Sequence, residues 1–154
     1  MKEALREAQK ALQTDDVPVG AVVVLGDRII GRGHNQVELL KDPTAHAEMI
    51  AITSATSTIG EKWLREASLY VTVEPCSMCA GAAVLARLKQ VIYGIQDVKS
   101  GAHSSLFNLM NDPRLNHRIE VIPGIEKEAC AALMFSFFEN LRSQNKQWDP
   151  IRMG

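Results

Sequence analysis

Several features are scarce in this sequence, and each scarcity closes off a class of function. Cysteine is rare: Cys76, Cys79 and Cys130 are the whole complement, too few and odd in number for a secreted disulfide framework. No apolar run approaches the ~20 residues of a membrane-spanning helix. The opening stretch MKEALREAQKAL is charged throughout and has no apolar centre of the kind a secretory leader carries. Charge of one sign is not in excess either. A formal net charge of −1 supplies no global field toward nucleic acid or anionic lipid, so any RNA must be held by a local patch. There is no internal repeat or low-complexity tract. A cytoplasmic location without membrane association is expected.

What is present suffices for one folded unit. A chain of 154 residues predicts a single domain over 1–154, and 46% hydrophobic content provides for a core. Residues 2–13 carry apolar side chains at Leu5, Ala8 and Leu12, a helical spacing. A β-branched run over 20–25, a turn at Gly26-Asp27 and a return strand over 28–33 read as a hairpin. Residues 35–42 read as a loop. Thr44 is a candidate N-cap for a helix over 45–56. Strands are expected at 68–73, 90–94 and 118–122, and helices at 77–86 and 126–143. The last helix is expected to present Ala129, Leu133, Phe137 and Leu141 on one face. Residues 97–105 read as a functional loop, 106–110 as a short helix, and the tail from about 144 as frayed. Alternating strands and helices imply an α/β fold, with helices on both faces of a mixed sheet.

Two short stretches carry the chemistry. In the first, His46 is followed two residues later by Glu48; in the second, Cys76 and Cys79 stand three apart just after Pro75. A His and two Cys are three soft ligands for zinc, which leaves a fourth tetrahedral position open, as in catalytic rather than structural sites. Glu48 is then the base beside it. His46 and Glu48 sit about 200° apart around a helix, so they can face one ion only if it lies off the helix's N-terminal end. The two Cys also sit at a helix start, where the partial positive charge favours thiolates. Two helix N-termini converging on one zinc is the expected arrangement.

Blander readings are available. A lone Cys-x-x-Cys serves as a redox motif in thioredoxin-like units, but there it follows the first strand. A structural zinc needs a fourth ligand. Cys130 lies in an Ala-rich amphipathic helix and reads as a small core residue, while His34, His103 and His117 have no ligand spacing to the pair.

The pattern H-x-E followed by P-C-x-x-C is the signature of zinc nucleobase deaminases. Over about 17–142 the chain resembles the bacterial tRNA adenosine deaminases of the cytidine-deaminase-like superfamily. The zinc motif alone reaches only the superfamily, and residues 42–48 also resemble guanine deaminases. More specific are Val17-Pro18-Val19-Gly20-Ala21-Val22, Met78-Cys79-Ala80-Gly81-Ala82, Asp97-x-Lys99-x-Gly101-Ala102 with Ser105-Leu106, Asn116-His117-Arg118, and the Cys130 helix with Phe137-Phe138.

That resemblance implies a three-layer α-β-α fold with a central five-stranded mixed sheet, and a homodimer with loops of both subunits near the RNA. It implies one Zn²⁺ per subunit, held by His46, Cys76 and Cys79, with Glu48 as proton shuttle. The expected activity is hydrolytic deamination of adenosine to inosine at the wobble position of a tRNA anticodon stem-loop. Asn35 becomes a substrate contact, with Val19 and Ala47 beside the base. A turn asparagine and a core valine are the plain alternatives. Asp97 and Lys99 become contacts to RNA sugar and phosphate, or else a solvated loop pair. His103 faces RNA or solvent; Phe138 and Arg142 meet anticodon nucleotides or merely complete a helix. Two rivals share the motif. One is a deaminase of free bases or nucleosides, of guanine or cytosine type. The other is a non-catalytic RNA-binding subunit, which would be expected to lose the shuttle Glu.

Overall fold

The computed structural model describes residues 1–145; the tail expected to fray lies almost wholly outside them. Helix α1 (Lys2–Ala11) ends in a 3₁₀ turn, Leu12–Thr14, which Asp15 closes in the left-handed conformation. Strands β1 (Gly20–Leu25) and β2 (Arg28–His34) form the expected antiparallel hairpin. Gly26, at φ 62°, supplies the positive dihedral of its turn. A short helix α2 (Val37–Leu40) and then α3 (Ala47–Ile59) follow. Strand β3 (Ala67–Val73), helix α4 (Ser77–Leu85) and strand β4 (Gln90–Ile95) form a crossover unit. Strand β5 (Glu120–Ile122) and helix α5 (Lys127–Gln144) complete the fold.

The sheet has five strands in the order β2-β1-β3-β4-β5. The β1 pairings are antiparallel, while β3–β4 and β4–β5 are parallel. Side chains alternate across a pleated sheet, and that alternation sorts the helices. Gly20 lies against Ala4 and Ala8 of α1, and Gly94 against Cys130 of α5. Gly31 and Gly33 face α3, their register partners Val23 and Ala21 share that side, and Leu69, Val71, Val91 and Tyr93 continue it. Helices α1 and α5 therefore cover one face and α3 and α4 the other. The core between sheet and α3/α4 is built from small and branched residues: Ala47, Ala51, Ala55, Ala80 and Ala83 against Val23, Leu69, Val71 and Val91. Small side chains let these helices approach closely, and this close approach sets where their N-termini point.

Several local expectations are corrected. Residues 35–42 contain helix α2, because the buried Asp16 accepts hydrogen bonds from the N–H groups of Glu38 (2.6 Å) and Leu39 (3.2 Å). A cap supplied from more than twenty residues upstream leaves no local signature. Thr44 does not cap α3. Its N–H and hydroxyl both donate to Asp42 (2.8 and 2.7 Å), and His46 occupies the N-cap position. Residues 106–110 are not helical. The N–H groups of Leu106 and Phe107 donate back to Gly101 and that of Leu109 to Ala102, which wraps the segment around the loop instead. The last strand is also shorter than expected, since Ile119 donates its N–H to Met110 rather than to the sheet. On α5, Cys130 is the buried residue; Ala129 is exposed, and Leu133, Phe137 and Leu141 are half-buried.

Candidate active site

His46 and Cys76 are the N-cap residues of α3 and α4, both in extended conformation (φ −78°, ψ 150° and φ −72°, ψ 175°), and neither side chain caps its own helix. An N-cap is ordinarily given to a residue that accepts a bond from the first turn. Here both side chains project away toward a common point, where Cys79, one turn into α4, joins them. His46 Nδ1 lies 3.6 Å from Cys76 Sγ and 3.5 Å from Cys79 Sγ. All three donor atoms fall within 4.8 Å of one another. A tetrahedral zinc with Zn–S of about 2.3 Å and Zn–N of about 2.0–2.1 Å separates sulfur and nitrogen donors by about 3.5–3.6 Å. The donor set and its spacing are thus compatible with zinc.

The neighbouring Cys79 and His46 hold the Cys76 thiol far down, to about 4. The contact with Cys76, together with burial, pushes Cys79 well up. His46 is raised by its bond to Cys76. A divalent cation held by both sulfurs would neutralise two thiolates at once.

Glu48, in the first turn of α3, is 4% exposed and carries no ion pair among the described residues. Burial pushes its carboxyl up to about 7. A carboxyl near neutrality can both take and release a proton at working pH.

His46, Glu48 and Cys76 line a cavity of about 200 Å³, walled further by Val17, Val19, Asn35, Ala47, Asp97 and Ser100. Asn35 follows β2 directly. Its amide nitrogen donates to Val17 O at 3.3 Å, while its Oδ1 is the one buried side-chain polar atom without a partner among the described residues. An orphaned buried acceptor costs free energy unless a ligand donates to it. Ala47 is fully buried at the first position of α3, where its N–H has no intrahelical acceptor.

A second cavity, of about 460 Å³, shares Val17, Val19, Val73, Asp97 and Ser100 with the first and extends past Lys99 to Met134 and Phe138 of α5. Asp97 thus lines both cavities, while Lys99 and Phe138 line the second. Arg142 lies one turn beyond Phe138, on the same helix face. His103 lines neither cavity; its Nδ1 is 2.9 Å from the Tyr93 hydroxyl. The carboxylate of Asp97 is engaged by its own loop, accepting from the N–H groups of Lys99 (3.0 Å) and Ser100 (3.2 Å).

Sequence reasoning had no role for Val17, Val73, Glu74 or Ser100, which also line the first cavity. Glu74 carried the one usable signal: a carboxylate ending an apolar strand beside a metal-ligand motif.

The chain is similar to known deaminases over most of its length. A family model described as MafB19-like deaminase matches residues 1–142. The chain is 45% identical over 146 residues to a tRNA-specific adenosine deaminase of Bacillus subtilis strain 168, covering 95% of this chain and 91% of that one. It is 47% identical over 145 residues to a tRNA-specific adenosine deaminase of Aquifex aeolicus strain VF5, covering 93% and 94%. A solved structure from studies of A-to-I editing by tRNA:A34 deaminases at the wobble position of transfer RNA matches at 42% identity with a TM-score of 0.82, covering 86% of this chain and 96% of that one.

Proposed function

The chain belongs to the deaminase family of the bacterial tRNA-specific adenosine deaminases, and from that premise we propose that it hydrolyses adenosine to inosine at the wobble position of a tRNA anticodon. The observation that carries the reading is the meeting of His46, Cys76 and Cys79, with His46 and Cys76 lining one cavity together with a buried Glu48 that has no ion pair among the described residues. His46, Cys76 and Cys79 would hold a Zn²⁺ ion. When bound, zinc supplies the Lewis acid that makes a water nucleophilic near neutral pH.

The chain's own residues do the rest. Glu48 accepts the proton that the attacking water gives up as its oxygen bonds to C6 of adenine. It delivers that proton to N1, then assists protonation of the amino group as the C6–N bond breaks, so water and adenosine become inosine and ammonia. Val19 and Ala47 form the apolar walls against the base. Asn35 offers its unpartnered Oδ1 to a donor of the nucleoside, which fixes the approach of the ring. Asp97 and Lys99, with Phe138, Arg142 and His103 further out, are the proposed contacts for the rest of the anticodon loop. Unpaired loop bases can be splayed outward and read one by one in such pockets.

The protein is further proposed to act as a homodimer in the cytoplasm, where tRNA is modified. Among the described residues no helix is long and apolar enough to cross a membrane. Incubation of the purified protein with total bacterial tRNA, followed by nucleoside analysis, tests the reading. Inosine must accumulate with the wild-type protein; tRNA unchanged after many equivalents of protein would refute it.

A further inference from the structure

Glu74 lies between the end of β3 and Pro75-Cys76, and it is 2% exposed. No Lys, Arg or His among the described residues forms an ion pair with it. A buried carboxylate without a cation is costly unless its oxygens are hydrogen-bonded. Here both are engaged by one segment. Ser105 donates its hydroxyl at 2.8 Å and His103 donates its N–H at 3.3 Å. The carboxylate also lies directly on Gly101: a Cβ built there would fall 1.7 Å from Glu74 Oε2.

The backbone on either side makes the same connection. Cys76 and Gly101 form an isolated antiparallel bridge, and Ala102 donates its N–H to Pro75 O at 2.8 Å. The carbonyl of Asp97 accepts from Gly101 at 2.8 Å, so the strap continues to residues that wall the first cavity. At its other end the Tyr93 hydroxyl, carried by β4, reaches His103.

We propose that Glu74 is a positioning residue: its carboxylate ties the 97–106 loop to the Pro75-Cys76 turn and so keeps the loop's substrate-facing residues in register with the metal ligands. The proposal rests on the substrate reading above. Glu74 reaches the wall of the first cavity, but its two carboxylate oxygens are directed to His103 and Ser105. Its role is to make the cavity wall at Asp97 and Ser100 rigid with respect to Cys76, so that the nucleotide flanks meet a fixed surface. Gly101 is then required where it stands because a side chain would displace the tether. A preorganised loop lowers the ordering cost of binding, so losing the tether should weaken binding more than it slows chemistry.

The test uses the full-length, metal-loaded protein with Glu74→Ala, Glu74→Gln and Ser105→Ala. Amide hydrogen exchange, metal content, and KM and kcat on an anticodon stem-loop are measured. In Glu74→Ala, exchange across 97–107 should quicken while 77–85 stays protected and metal content holds. KM should rise by about tenfold, with kcat within about threefold, as expected when binding contacts rather than transition-state contacts are lost. Ser105→Ala should fall between Glu74→Ala and wild type, and it keeps the test decisive if Glu74→Ala does not fold. Glu74→Gln should remain near wild type, because its Oε1 can accept from His103 while its amide donates to Ser105. Unchanged exchange and KM in Glu74→Ala would overturn the proposal. So would metal loss at unchanged KM, or a Gln variant as impaired as Ala. A wild-type protein that leaves the stem-loop untouched would refute the substrate reading instead, and hydrogen exchange would then decide the tether alone.

Discussion

Glu48 is almost as buried as the alanines around it, yet it is a carboxyl group with no cation to pair with among the described residues. A core position spent in this way is costly unless the proton it handles matters. Glu48→Ala should therefore retain metal and fold while losing at least ~10²-fold in turnover, the lower end of what a general acid–base group contributes. Single-turnover kinetics with metal analysis check this, and a variant with a tenth of the wild-type rate would refute the shuttle. The ligands behave differently. Cys76→Ala and Cys79→Ala each remove one of three donors, so both metal content and thermal stability should fall together, since metal binding is coupled to folding. Full metal occupancy in both variants would contradict the ligand set. Cys130 provides a control within the same chain. It is buried against Gly94 on the opposite face of the sheet, burial pushes its thiol up to about 11, and its loss should leave metal binding untouched.

Helices α3 and α4 bring these residues together only because they lie very close to the sheet. Gly33 is the tightest point near His46: a Cβ there would stand 2.3 Å from Ala47 O and 2.8 Å from Ala51 N. Gly33→Ala should push the start of α3 outward and cost about 1–3 kcal/mol, the usual range for overpacking. It should also reduce metal affinity, because His46 and Glu48 ride on that helix start. Chemical denaturation and metal titration of the same variant measure both effects; a stable variant with undiminished metal affinity would show that the contact is slack. The elements that carry the site were legible in the sequence for physical reasons. The β-branched run before the Gly26-Asp27 turn specifies the hairpin, and a His-x-Glu and a Cys-x-x-Cys at two helix starts can meet only off the helix ends. Helix α2 was not legible, because Asp16 caps it from across the fold. The cap of α3 was misplaced for a related reason. Thr44 has the right chemistry for a cap but is held by Asp42, and the true N-cap, His46, turns away from its own helix. Glu74 could be noticed in the sequence, but its partners, Ser105 and His103, are some thirty residues away and become visible only in the folded chain.

At the scale of the whole molecule, the proposed substrate surface extends beyond the reacting centre. The second cavity continues from the first toward Lys99 and Phe138. Phe138 remains 38% exposed and Phe135, on the same helix, 63%. A net charge of −1 leaves little long-range attraction for a polyanion, so affinity must come from local contacts of this kind. A second subunit would add to them, and light scattering at micromolar concentration should give twice the monomer mass; a monomer there would remove the dimer from the account. Remote contacts of a large substrate can be used to position the reacting group, so a truncated substrate should lose rate as well as affinity. The most direct measurement compares four substrates under identical conditions: an anticodon stem-loop with adenosine at the wobble position, free adenosine, guanine and cytosine. The account predicts efficient release of ammonia and formation of inosine from the stem-loop, little or none from the three small molecules, and loss of the stem-loop activity in Glu48→Ala. Efficient turnover of any small molecule with none on the stem-loop would contradict it and make the protein a deaminase of free bases or nucleosides.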